Sequence, residues 1–106
     1  MTIGHVTFKK PTVLIVDDDA AIRDIARATL ELSGFSVEEA ADGLDALSFL
    51  TERKPDLLVL DFMLPGMDGI SVRSELRKMS GGGRIPVLMI TGLNDIESIQ
   101  RSFEVG

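Results

Sequence analysis

Four aspartates and one threonine carry the chemistry this sequence could do. Asp17, Asp18 and Asp19 follow the apolar run Val13-Leu14-Ile15-Val16, Asp61 follows Leu57-Leu58-Val59-Leu60, and Thr91 follows Val87-Leu88-Met89-Ile90. Short, continuous, β-branched-rich runs suit strands covered on both faces. In open α/β sheets, ligands bind beyond the carboxyl ends of the strands, where the strand order reverses. If the first and third strands are neighbours, their acids converge in one crevice. Like charges so close repel and push protonation upward. A hard divalent cation relieves this, and Mg²⁺ prefers carboxylate and water oxygens. Such an ion would also neutralise an incoming phosphoryl group and leave one carboxylate as a nucleophile. The Thr91 hydroxyl could then hydrogen-bond a phosphoryl oxygen.

Each residue also has a plainer role. Asp17 to Asp19 could cap a helix, Asp61 could open a turn, and Pro65-Gly66 and Asp68-Gly69 punctuate turns in any case. Their conjunction at three strand ends is what points to a site.

The elements that must position these residues alternate along the chain. After a leader at 1–11, expected to be irregular, Thr12 to Val16 reads as a strand. A helix follows with Asp19 as N-cap, Ile22, Ile25, Ala26 and Leu30 at helical spacing, and Gly34 as a stop. Phe35-Ser36-Val37 is a weak strand, and Asp42 caps a helix bearing Leu44, Leu47 and Leu50. Leu57 to Leu60 is the third strand. Asp68 then caps a helix carrying Val72, Leu76 and Met79, which Ser80-Gly81-Gly82-Gly83 ends. Ile85 to Ile90 is a fourth strand, and Asn94 with Glu97 resembles a capping box before Ile96, Ile99 and Phe103. Strands alternating with helices imply a parallel sheet with right-handed crossovers and helices on both faces.

Composition narrows the function. A length of 106 residues suits one domain, and 44% hydrophobic with 26% charged residues suits a soluble globular chain. There is no cysteine, so disulfides and thiolate metal sites are excluded, and the lone His5 cannot make a zinc cluster. A net charge of −6 argues against direct nucleic-acid binding. No apolar run is long enough to span a bilayer and no signal-peptide core is present, so no membrane contact and a cytoplasmic location are expected.

Val13 to Asp19, Leu57 to Gly69 (LLVLDFMLPGMDG) and Pro86 to Gly92 together resemble the three signature blocks of bacterial response-regulator receiver domains. The resemblance spans residues 12–106. It implies a flavodoxin-like (βα)5 α/β fold, a doubly wound parallel sheet whose fifth βα unit is missing from this chain. It implies that Asp61 accepts a phosphoryl group from a sensor histidine kinase or phosphotransfer protein. Asp17, Asp18, Asp61 and the backbone carbonyl of Met63 would hold Mg²⁺, and Thr91 would be the switch hydroxyl. The domain would catalyse only its own phosphorylation and dephosphorylation, relaying the change through the fourth-helix face. The family's lysine and aromatic switch residue would lie beyond Gly106, since Lys9 and Lys10 precede the first strand. A fourth strand left as an apolar edge invites pairing, so a homodimer through strand exchange or the fourth-helix face is an open expectation.

Two other readings remain open at this point. Asp17-x-Asp19 after an apolar strand resembles the nucleophile motif of haloacid-dehalogenase-type phosphatases, with Asp17 as nucleophile. The third is a receiver-like interaction module that takes no phosphate. Residues 91–104 also faintly resemble receivers attached to diguanylate cyclase modules, while a stand-alone receiver or one linked to a DNA-binding domain fits equally.

Overall fold

The structure, a computed structural model, describes residues 9–90 and, of the first eight, the backbone of 2–3 and 6–7. Thr91, His5 and the expected fourth helix therefore lie outside the described residues.

The leader is the first departure from expectation. Instead of an irregular tail, β1 (Thr2–Ile3) and β2 (Val6–Thr7) pair antiparallel as a two-stranded hairpin. Two residues per strand leave no periodicity from which the sequence could announce it. The main body then alternates as expected: β3 (Thr12–Val16), α1 (Ala20–Leu32), β4 (Ser36–Ala40), α2 (Gly43–Glu52), β5 (Leu57–Asp61), α3 (Gly69–Lys78) and β6 (Val87–Ile90). A 3₁₀ turn at Gly82–Arg84 leads into β6.

The four longer strands form one parallel sheet in the order β4-β3-β5-β6. The chain first steps outward from β3 to β4, then crosses back to β5 on the other side. The order therefore reverses between β3 and β5, and the crevice lies at the carboxyl ends of those two strands. Their register pairs Val13 with Leu57 and Val16 with Leu60. The next position along each strand is Asp17 and Asp61.

Alternation of side chains sorts the core into two layers. Val13, Ile15, Leu57 and Val59 pack with Ala26 and Leu30 of α1 on one face. Leu14, Val16, Leu58 and Leu60 pack with Ala46 and Leu50 of α2 and Val72 and Leu76 of α3 on the other. The fold is thus the expected doubly wound, flavodoxin-like α/β sandwich. The expectation that a fifth βα unit is missing from this chain concerns residues outside the described ones.

The three N-caps expected within the described residues are all present. Asp19 accepts hydrogen bonds from the N–H groups of Ala21 and Ile22, Asp42 from Asp45, and Asp68 from Ser71. Gly34 ends α1 with φ of 96°, a left-handed conformation that suits glycine. The face of α2 differs from expectation. Gly43, Ala46 and Leu50 are its buried residues, while Leu44 is 70% exposed. A Cβ on Gly43 would lie 3.0 Å from side-chain carbons of both Met67 and Val72, so a glycine there lets α2 approach α3 closely. That contact sets the helix rotation and turns Leu44 outward. Ile25 is likewise half exposed, beside the buried Ala26.

β6 begins at Val87, two residues later than expected, because the 3₁₀ turn takes up the preceding chain. β4 begins one residue later and runs on through Glu38 and Glu39.

Leu58 is fully buried at the centre of the layer facing α2 and α3. Leu58→Ala is expected to cost about 2–5 kcal/mol, read as a lower denaturant midpoint at unchanged slope.

Candidate functional site

The sheet delivers three of the expected acids to one place. Asp17, Asp18 and Asp61 each offer a carboxylate oxygen, and these oxygens all lie within 4.8 Å of one another. Asp17 is 2% exposed and is the one charged side chain buried among the described residues. Asp61 is half-buried and Asp18 is exposed. Asp19, the fourth acid of the sequence pattern, turns away to cap α1.

Backbone groups fix this arrangement. Asp17 Oδ1 accepts from the Asp19 N–H at 2.9 Å, and the Asp17 N–H donates to the Ala40 carbonyl at 3.2 Å. Asp61 Oδ1 accepts from the Met63 N–H at 3.0 Å, which curls the following loop around the carboxylate. Met63 projects its side chain into solvent at 78% exposure, while its backbone stays beside Asp61. The Phe62 N–H donates to the Ile90 carbonyl at 3.0 Å, so the peptide joining Ile90 to Thr91 is tied to the residue after Asp61.

Among the described residues, none of the ion pairs involves Asp17, Asp18 or Asp61. Burial, and then the charges of Asp61, Asp18 and Asp19, push the Asp17 carboxyl above its ordinary value, opposed by the hydrogen bond from Asp19. Three hard oxygen donors with no matching cation fit a small divalent ion such as Mg²⁺. Asp68, by contrast, is held below the usual carboxylate range by its hydrogen bonds with Ser71, as a helix cap.

A shallow depression lined by Asp18, Phe62, Met63, Leu64, Pro65 and Asp68 opens beside the acids. Close packing next to it depends on a glycine. A Cβ on Gly69 would come 2.8 Å from the Asp61 carbonyl oxygen and 3.2 Å from the Phe62 Cα. The first turn of α3 can therefore sit against the end of β5 only without a side chain there. The sequence reads Gly69 as turn punctuation, and this close approach is invisible without the fold.

A second feature was not legible either. Arg23 of α1 donates through an Nη to the Asp17 carbonyl at 2.7 Å and through Nε to Glu39 at 3.1 Å. Arg27 donates to the other Glu39 oxygen at 2.6 Å. The Arg27 hydrogen bond, joined by Arg23 and opposed by burial, holds the Glu39 carboxyl below its usual range.

Comparison with known proteins agrees with this geometry. A family model described as the response regulator receiver domain matches residues 13–106. The chain belongs to the response regulator receiver family. This receiver is 41% identical over 96 residues to the DNA-binding dual master transcriptional regulator RpaA of Synechocystis, covering 91% of this chain and 40% of that protein. It is 39% identical over 94 residues to the response regulator MprA of Mycobacterium avium, covering 89% of this chain and 40% of that protein. The chain thus spans about 40% of the length of these relatives. Among solved structures, the chemotaxis response regulator CheY4 of Vibrio cholerae is similar with a TM-score of 0.76 and 34% identity, covering 92% of this receiver and 82% of that chain. A putative response regulator from Chloroflexus aurantiacus gives a TM-score of 0.76 at 36% identity, covering 92% and 80%. No helix among the described residues is long and apolar enough to cross a membrane.

Two outcomes follow from the site's construction. A raised Asp17 pKa means the native state binds that proton more tightly than the unfolded chain does. The stability of the metal-free domain therefore falls as pH rises from the ordinary carboxylate value through the raised one, and the penalty is complete above it. Asp17→Asn is expected to raise the melting temperature in EDTA at pH 7, with the gain vanishing on acidification below the ordinary value. Gly69→Ala is expected to destabilise by about 1–3 kcal/mol through overpacking, measured by urea unfolding.

Proposed function

We propose that this receiver is a phosphoacceptor switch in which Asp61 takes a phosphoryl group from the phosphohistidine of a sensor histidine kinase or phosphotransfer protein. The observation that carries the reading is the clustering of Asp17, Asp18 and Asp61 at the strand-order reversal. Asp17, Asp18, Asp61 and the carbonyl of Met63 would hold Mg²⁺. When bound, that ion supplies charge neutralisation for the incoming phosphoryl oxygens.

The chain's own residues do the rest. Asp61 is partly exposed and directly precedes Phe62 and Met63, which line the open depression, so its carboxylate can be reached by an incoming phosphoryl group. The donor's N–P bond breaks as the Asp61 O–P bond forms, and the imidazole leaves with a proton in place of the phosphoryl group. The Met63 N–H orients the carboxylate during approach. Thr91 would then hydrogen-bond a phosphoryl oxygen, and the resulting population shift would be read by a partner that prefers the phosphorylated state. On this reading the domain is not an enzyme for other substrates, acts in the cytoplasm, and does not itself contact nucleic acid.

Asp17 as a phosphatase-type nucleophile is disfavoured by its burial and by its hydrogen bond to the Asp19 N–H. An interaction module that takes no phosphate is disfavoured by the complete set of acids, whose mutual repulsion has no role without a cation.

Incubation with a small phosphodonor in Mg²⁺ is expected to phosphorylate Asp61 alone, as mapped by mass spectrometry after borohydride trapping of the acyl phosphate. Asp61→Asn and EDTA should each abolish the signal. Modification of Asp17, or undiminished labelling of Asp61→Asn, would refute the assignment.

A further inference from the structure

Asp18 is the exposed member of the acidic trio, and among the described residues its side chain makes no hydrogen bond or ion pair. Its direction is therefore set by its own backbone, through the peptide that joins Asp17 to Asp18. That peptide's carbonyl, on Asp17, accepts the 2.7 Å hydrogen bond from Arg23. The other side of Asp17 is held by its N–H on the Ala40 carbonyl. Arg23 is itself fixed, since its Nε lies 3.1 Å from Glu39 Oε1 and its side chain is 19% exposed. Arg27 occupies the second Glu39 oxygen at 2.6 Å, which holds that carboxylate in one orientation. A short chain of charge-assisted hydrogen bonds thus runs from α1 and β4 to the peptide between two of the acids.

We propose that Arg23, oriented by Glu39, is a positioning residue for the acidic pocket, holding the peptide between Asp17 and Asp18 so that their carboxylates keep the spacing a divalent cation requires. This rests on the reading of Asp17, Asp18 and Asp61 as a cation site. Groups that orient the residues of a metal site commonly change affinity by 10–100-fold when removed. The role is geometric. Arg23 carries a positive charge close to the pocket, and a purely electrostatic role would make its removal tighten cation binding. A purely architectural role, tying α1 to β4, would lower stability and leave affinity alone.

Mg²⁺ titration by isothermal calorimetry, paired with metal-free melting curves, separates these cases. Arg23→Gln is expected to weaken Mg²⁺ binding about tenfold. Arg23→Lys, which keeps the charge but not the two-point geometry, should weaken it in the same direction and serves as the measurement if Arg23→Gln does not fold. Arg53→Gln removes a second, more exposed arginine–glutamate pair, with Glu38 of β4, and should leave affinity at the wild-type value. Wild-type affinity in the folded Arg23 variants, or tighter binding in Arg23→Gln, would overturn the positioning role. A wild-type domain with no saturable Mg²⁺ binding would instead overturn the cation site on which the inference rests.

Discussion

Two carboxylates placed at the same level on adjacent parallel strands cannot avoid each other. The register that pairs Val16 with Leu60 makes Asp17 and Asp61 the next residues along, and Asp18 follows directly. Electrostatic repulsion among the three is the constraint around which the rest is arranged. The fold does not relieve it with an ion pair among the described residues, and it buries Asp17 almost completely. The cost falls on the metal-free state, and on the proposed reading a cation would recover it. Binding and folding would thereby be linked, because an ion that prefers the native arrangement stabilises it by mass action.

The surroundings of the acids are correspondingly rigid. Hydrogen bonds from the N–H groups of Asp19 and Met63 orient two of the carboxylates, and Gly69 brings the start of α3 against the end of β5. The link from Phe62 to the Ile90 carbonyl carries the same rigidity to the neighbouring strand. The main chain just after Asp61 is therefore tied by one hydrogen bond to the carbonyl that ends β6.

Much of this architecture is legible in the residue pattern. Leu57 to Leu60 announces a strand buried on both faces, and Asp19, Asp42 and Asp68 announce the helix starts, because capping is local chemistry. The three acids are legible because strand ends in such sheets are where ligands bind. What escapes the sequence is whatever depends on partners distant along the chain. Glu38 and Glu39 hide most of β4, since an edge strand can carry charged side chains when arginines from α1 and from just after α2 meet them. Leu44 looks like core until the contact of Gly43 with α3 sets the helix rotation. Arg23 is half a turn-and-strand crossover from Glu39, sixteen residues away, so no spacing rule marks the pair.

The two-layer core has a last consequence, for which changes in chain length the domain can survive. Odd-numbered positions of β3 and β5 face α1, and Asp17 and Asp61 continue that count. Inserting or deleting one residue within either strand would exchange the two layers for every residue beyond it and carry an aspartate toward the opposite set of helices. Packing and chemistry would fail together. Single-residue indels should therefore be confined to connections at the far end of the sheet such as the exposed stretch around Lys54, where neither count is disturbed.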